Sequence, residues 1–161
     1  GVYRNAQGQI MTVTCSVNTV ASSIAALSVS GVTIKDIDKI PDSAKLLCPV
    51  LIPQPNDYMS NVTVSFETFG SNGGAKLNME YDLNYVYLHC EAGSGINAFA
   101  PFSSLMIKVA EILKVIMSND KLNGLEDFTI NSISNVGIIN DPAGNSYWGV
   151  LLSFHVLEFA Q

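Results

Sequence analysis

Charge is scarce in this sequence, and positive charge is scarcer still. Only 14% of its 161 residues are charged, with 8 Lys and Arg against 14 Asp and Glu and a net charge of -6. A phosphate backbone is gripped through a basic footprint, so sequence-specific nucleic-acid recognition is excluded as a function class. No run of about 18 apolar residues occurs, and the longest apolar patch is broken by Lys108, Glu111 and Lys114, which argues against a membrane span. Cysteine is limited to Cys15, Cys48 and Cys90, an odd number at unrelated spacings. Neither a disulfide framework nor a zinc pattern is visible, and the thiols read as reduced ones in a cytosolic product. The N-terminus GVYRNAQGQIM has no basic region leading into an apolar one, so it does not read as a secretory signal. Met11 is a candidate natural start, and residues 1–15 are expected to form a flexible segment. The Asn61-Val62-Thr63 sequon then carries little meaning.

What the chain does have is apolar patterning. At 48% hydrophobic it has material for a sizeable core, and no linker, repeat or low-complexity tract divides it, so 1–161 reads as a single domain. Val17, Val20, Ala21, Ile24 and Leu27 recur at helical spacing behind Ser16, a candidate N-cap, with Gly31 beyond the end. Val32, Ile34, Ile37 and Ile40 mark a short extended segment before Pro41. The stretch LLCPVLIPQPNDY, with Pro49, Pro53 and Pro55, is expected at an edge or between elements, because proline cannot donate to a central ladder. Residues 62–69, VTVSFETF, alternate and run into SNGG, a turn signal.

The second arm of that hairpin, KLNMEYDLNYVYLHC, alternates for longer than a compact domain needs. Leu77, Met79, Tyr81, Leu83, Tyr85, Tyr87 and His89 share one face, opposite Asn78, Glu80, Asp82 and Asn84. Fourteen such residues would span roughly 46 Å, beyond the usual strand. The first half, 76–84, is therefore expected to protrude as an arm with one apolar face, while the part from Val86 onward enters the core. An isolated two-stranded ribbon is marginal in water, so Leu77, Met79, Tyr81, Leu83 and Tyr85 are predicted to form an oligomer interface. Further along, Phe102, Leu105, Met106, Val109, Ile112, Leu113 and Ile116 mark a helix over 101–118, closed by Asn123-Gly124. Two strands, 127–138 and 147–159, flank the turn NDPAGNS, and Trp148, Val150, Leu152, Phe154 and Val156 are expected to pack on that helix. The order predicts an α+β fold: a mostly antiparallel sheet with a protruding long hairpin, packed on one side by an N-terminal helix and a long central helix.

Candidate chemistry is thin. Gly93-Ser94-Gly95-Ile96-Asn97-Ala98 matches GxGxxA, but the strand before it alternates and no acid-tipped second strand follows, so a dinucleotide site is not supported. Ser94 lies outside a nucleophile-elbow pattern, and the two histidines, His89 and His155, sit within alternating strands. His89 and Cys90, adjacent on a strand, point to opposite faces and make a poor metal pair. Glu80 and Asp82 share a face at an acid/base spacing, yet beside Asn78 and Asn84 they read as solvated polar surface. No catalytic residue, cofactor or metal is assigned, and the protein is expected not to be an enzyme.

The helix near residue 16, the proline-broken VLIPQPNDY, the hairpin VTVSFETF-SNGG-AKLNMEYDLNYVYLHC, the helix FSSLMIKVAEILKVI and the closing YWGVLLSFHV together resemble the tail terminator or tail-completion proteins of long-tailed phages, over roughly 16–159. The resemblance lies in element order, length and texture, and the family has no diagnostic residue motif. It implies a structural virion protein of a phage or prophage, made in the host cytoplasm and placed in the tail or neck. Such a protein forms a ring, commonly a hexamer, that caps the tail tube, ends its polymerisation and meets the head-tail connector while DNA passes through. An acidic lumen would repel that DNA. The alternatives are another neck or baseplate component of similar build, or a small-molecule binding module using a cleft near residues 93–97.

Overall fold

The computed structural model describes residues 2–4, 10–12, 17–37, 45–69, 74–93, 100–119, 122, 125–141 and 143–160. Ten elements follow in chain order: β1 (Val2–Arg4), β2 (Ile10–Thr12), α1 (Val17–Ala25), β3 (Thr33–Ile34), β4 (Val50–Pro53), β5 (Met59–Phe69), β6 (Gly74–Glu91), α2 (Phe102–Met117), β7 (Asp127–Asn140) and β8 (Ser146–Ala160). β1 and β2 form their own antiparallel pair. The main sheet runs β3-β4-β6-β8-β7, with β5 also paired to β6. All its pairings are antiparallel except β3 with β4, so the α+β class with a mostly antiparallel sheet holds.

The alternation expected in the long strand is present, but its first half does not protrude. From Leu77 to Glu91, β6 pairs with β8 from Ala160 back to Tyr147, while its other edge takes β5 along Gly74–Leu83 and β4 along Tyr85–Leu88. Flanked on both sides, β6 is a central strand. Its length is used to carry two shorter strands end to end on one edge, an arrangement that a purely local reading cannot see.

The proline-rich segment also differs from expectation. β4 lies between β3 and β6, with all four of its residues buried. The prolines permit this because Pro49 precedes the strand and Pro53 ends it, which leaves the amides of Val50 to Ile52 free to pair. Thr33 N donates to Pro49 O at 3.1 Å and Lys35 N to Leu51 O at 2.9 Å. α1 stops at Ala25, and Gly31, at φ 75°, instead completes a turn closed by Val32 N to Val29 O at 3.0 Å. Ser16, the 71–73 turn, Asn123-Gly124 and Ser94 to Ala98 lie outside the described residues.

One face of the sheet is covered by helices. Val20 and Ile24 of α1 and Leu105, Val109, Ile112 and Ile116 of α2 share a buried cluster with Tyr81, Leu83, Tyr85 and Tyr87 of β6 and with Trp148, Val150, Leu152, Phe154 and Val156 of β8. The expected packing of the last strand against the central helix is therefore present. The opposite face has a smaller core at one end, where Val50, Ile52, Val86, Leu88 and Tyr147 are packed by Leu46, Cys48, Ile139 and Leu151. Tyr147 Oη accepts from Leu46 N at 3.2 Å, which anchors the segment over that core. The other end of this face is polar, and no helix among the described residues contributes to a core there.

Candidate functional site

The five side chains predicted to form an interface are mostly spoken for within the chain. Tyr81, Leu83 and Tyr85 are fully buried, and Leu77 and Met79 are half-buried. The ring of Tyr85 meets Tyr58 and Phe154 edge-on, with centroids 5.9 and 6.0 Å apart. The apolar row on β6 is thus core, because β5 and β8 flank it and the helices cap it.

The surplus apolar surface lies instead on the two outer strands. Val62, Val64 and Phe66 of β5 and Ile130, Ile133, Val136 and Ile138 of β7 are exposed, Phe66 to 71%. By register, Val64 and Phe66 share the face of Met79 and Leu77, while Ile130 and Ile133 share that of Phe154 and Leu152, so these four project on the helix-covered side. Among the described residues, β5 is paired only with β6, and β7 only with β8, so each has an edge that no described strand pairs. No charged residue occurs from Met59 to Phe66 or from Phe128 to Asn140. Edge strands are ordinarily blunted by charge or proline. Here charge stands only near one end of each strand, at Glu67 and Asp127, and bulges interrupt the pairing between Ser60 and Thr63 in β5 and at two points in β7.

On the polar face, Glu80 and Asp82 do come together, through a partner that no local pattern announces. His155 stands directly opposite Asp82 in the ladder. Its Nδ1 lies 3.0 Å from Asp82 Oδ1 and its Nε2 2.6 Å from Glu80 Oε1. Asn61 Nδ2 donates to Asp82 Oδ2 at 2.7 Å. Hydrogen bonding to Asp82 raises the His155 pKa, and bonding to Glu80 adds to this against a lowering by burial. Burial pushes the Asp82 carboxyl up, but the bonds from Asn61 and His155 outweigh it and leave the group below its ordinary range. Asn84 extends the cluster, its Nδ2 donating to Ser60 Oγ at 2.9 Å and to Asp57 O at 3.0 Å.

The other histidine sits in a different chain of bonds. His89 Nδ1 is 2.6 Å from Tyr87 Oη, and its Nε2 is 2.8 Å from Ser104 Oγ, which in turn donates to Pro101 O at 3.0 Å. Burial, with Lys108 nearby, lowers the His89 pKa. A neutral ring then accepts from Tyr87 at Nδ1 and donates from Nε2 to Ser104, whose own proton points at Pro101 O. A nucleophile's base must instead accept the hydroxyl proton. Ser104 and His89 therefore tie the first turn of α2 to the sheet rather than activate an oxygen. The sequence offers His89 neither Ser94 nor Cys90 as a working partner and gives no signal for Ser104, which the docking of the helix brings near.

Among the described residues, no group of three or more His, Cys, Asp or Glu side chains could hold a metal ion, and no helix is long and apolar enough to cross a membrane. Neither a protein-family model nor a curated protein sequence matches the chain.

Proposed function

We propose that the protein is a structural subunit that joins copies of itself edge to edge into a ring, as a tail terminator or tail-completion protein does when it caps a phage tail tube. The observation that carries this reading is a pair of edges on opposite sides of one sheet, open among the described residues, with exposed apolar side chains in stretches, Met59 to Phe66 and Phe128 to Asn140, that hold no charge. In a chain of net charge -6, they are two strips poor in charge, with Glu67 and Asp127 only beside their ends, on which copies can approach with little repulsion. The neighbours β5, β6, β8 and β7 alternate in direction. A copy that continues the sheet therefore brings its β5 antiparallel to the first copy's β7, and a slide of about six residues along the strands sets its Val64 and Phe66 beside Ile130 and Ile133 on the same face. Such a contact is heterologous, and it ends in a ring when the rotation closes.

The six-fold count, the tube and connector partners and the place in the virion come from the family resemblance. Carboxylates on the polar face, Glu80 foremost, suit a lumen that lets DNA pass. Two cysteine variants test the joint in a background lacking the native cysteines. Val64→Cys and Ile133→Cys, mixed and oxidised, should cross-link to each other, and neither should cross-link alone. Light scattering should show a closed species near 6 × 17.3 kDa, about 104 kDa. A chain that stays monomeric up to the highest concentrations, without cross-links, overturns the reading.

A further inference from the structure

We propose that Asn61, Asp82, His155 and Glu80 form a pH-sensitive clamp that fixes the bulge of β5 against the centre of the sheet. The argument begins with proton count. Both ring nitrogens of His155 face carboxylate oxygens within hydrogen-bond distance, at 3.0 and 2.6 Å. A carboxylate at neutral pH only accepts, so both nitrogens must carry hydrogen, and only the imidazolium has two. A neutral ring in the same place would turn a lone pair towards one carboxylate, and that bond would be lost.

The consequence reaches β5 through Asp82. One of its oxygens takes His155 from β8, and the other takes Asn61 from β5. Asn61 lies in the register shift between Ser60 and Thr63, at φ 54°, a left-handed conformation uncommon outside glycine although tolerated by asparagine. The side-chain bond to Asp82 holds that conformation. Loss of the proton from His155 leaves Glu80 and Asp82 as like charges on one strand face with one donor fewer between them. The remaining groups on this face do not replace it: Thr129 of β7 stands opposite His155, and Asp127, two residues away on the same face, adds another negative charge.

The clamp works in a window. His155, with its pKa raised, contributes fully below about 6.5, and the contribution fades as pH rises through the raised value. Asp82, with its pKa lowered, contributes above its ordinary value, and that part is lost on acidification. The clamp is closed between the lowered Asp82 value and the raised His155 value, and it opens as pH rises through the latter. It does not depend on the ring reading, since every group in it belongs to one chain.

The test uses the whole chain. NMR of the His155 ring should report an imidazolium with a midpoint above 6.5, and Glu80→Gln, a change at a half-exposed carboxyl, should lower that midpoint. Hydrogen exchange at residues 60–64, measured relative to β8, should accelerate as pH passes the midpoint, by at most about tenfold for each unit by which the midpoint is raised. In His155→Gln, the same amides should exchange fast throughout. A midpoint at or below 6.5, or β5 exchange that follows β8 at every pH in the parent and in Glu80→Gln, overturns the clamp.

Discussion

Phe154 and Phe66 are the same residue on the same face of one sheet, and they live in different worlds. Phe154, on central strand β8, is fully buried, stacked on Phe128 at 5.1 Å and edge-on to Tyr85. Phe66, on outer strand β5, is 71% exposed. Both come from alternating segments of similar composition. Alternation specifies which face a side chain takes, whereas the number of neighbouring strands decides how deeply that face lies.

The comparison is broken most directly at Phe154. Replacement by alanine should remove a fully buried ring with two aromatic partners and cost about 3–5 kcal/mol, read as a lowered denaturant midpoint. The same change at Phe66 should stay within about 0.5 kcal/mol in the monomer. Equal costs would mean that β5 is covered within the chain after all.

The central ladder has a second sensitive point in Gly149, paired with Leu88 on one side and Gly137 on the other. A Cβ there would collide with the carbonyl oxygen of Tyr87. Gly149→Ala should cost about 1–3 kcal/mol through forced displacement of backbone, with the far-ultraviolet signal retained. A neutral result would show that β6 and β8 have slack, and would count against the register that buries Tyr81 and Tyr85.

The two faces of the sheet separate the histidines, both of which lie on central strands. His155 binds a proton more tightly in the folded chain, so its share of stability falls as pH rises above 6.5. His89, desolvated beside Lys108, binds one less tightly, so its share falls as pH drops below 6.5. Thermal midpoints across this range should therefore lose their alkaline slope in His155→Gln and their acidic slope in His89→Gln. Slopes of the same sign in both variants would contradict the two hydrogen-bond arrangements.

These pairs also mark where sequence reading ends. The strands and the long helix were legible because alternation and helical spacing are local. The row Leu77 to Tyr85 is apolar in the sequence, and its length alone suggests an arm, since nothing local announces that β8 pairs along it. Pro49 and Pro53 suggest a place at an edge or between elements, although they bound a strand instead of interrupting it. Glu80 and Asp82 were visible as a same-face pair, while His155 lies 73 residues from Asp82 and reaches it only through the register.

The smallest expected effect on the monomer is the most telling for function. Phe66→Ser removes an exposed ring from an open edge, so unfolding of the isolated chain should change by less than about 0.5 kcal/mol. Assembly should respond differently, because at a heterologous joint every copy presents the altered β5 to its neighbour's β7, and the defect recurs at each contact around a ring. Sedimentation or light scattering should then show the heavy species lost at concentrations where the parent forms it. Ile133→Ser on the opposite edge should do the same, and mixing the two variants should not restore closed rings, since each ring would still contain altered joints. Ring formation unaffected by both changes would move the joint off the sheet edges and onto another surface of the chain.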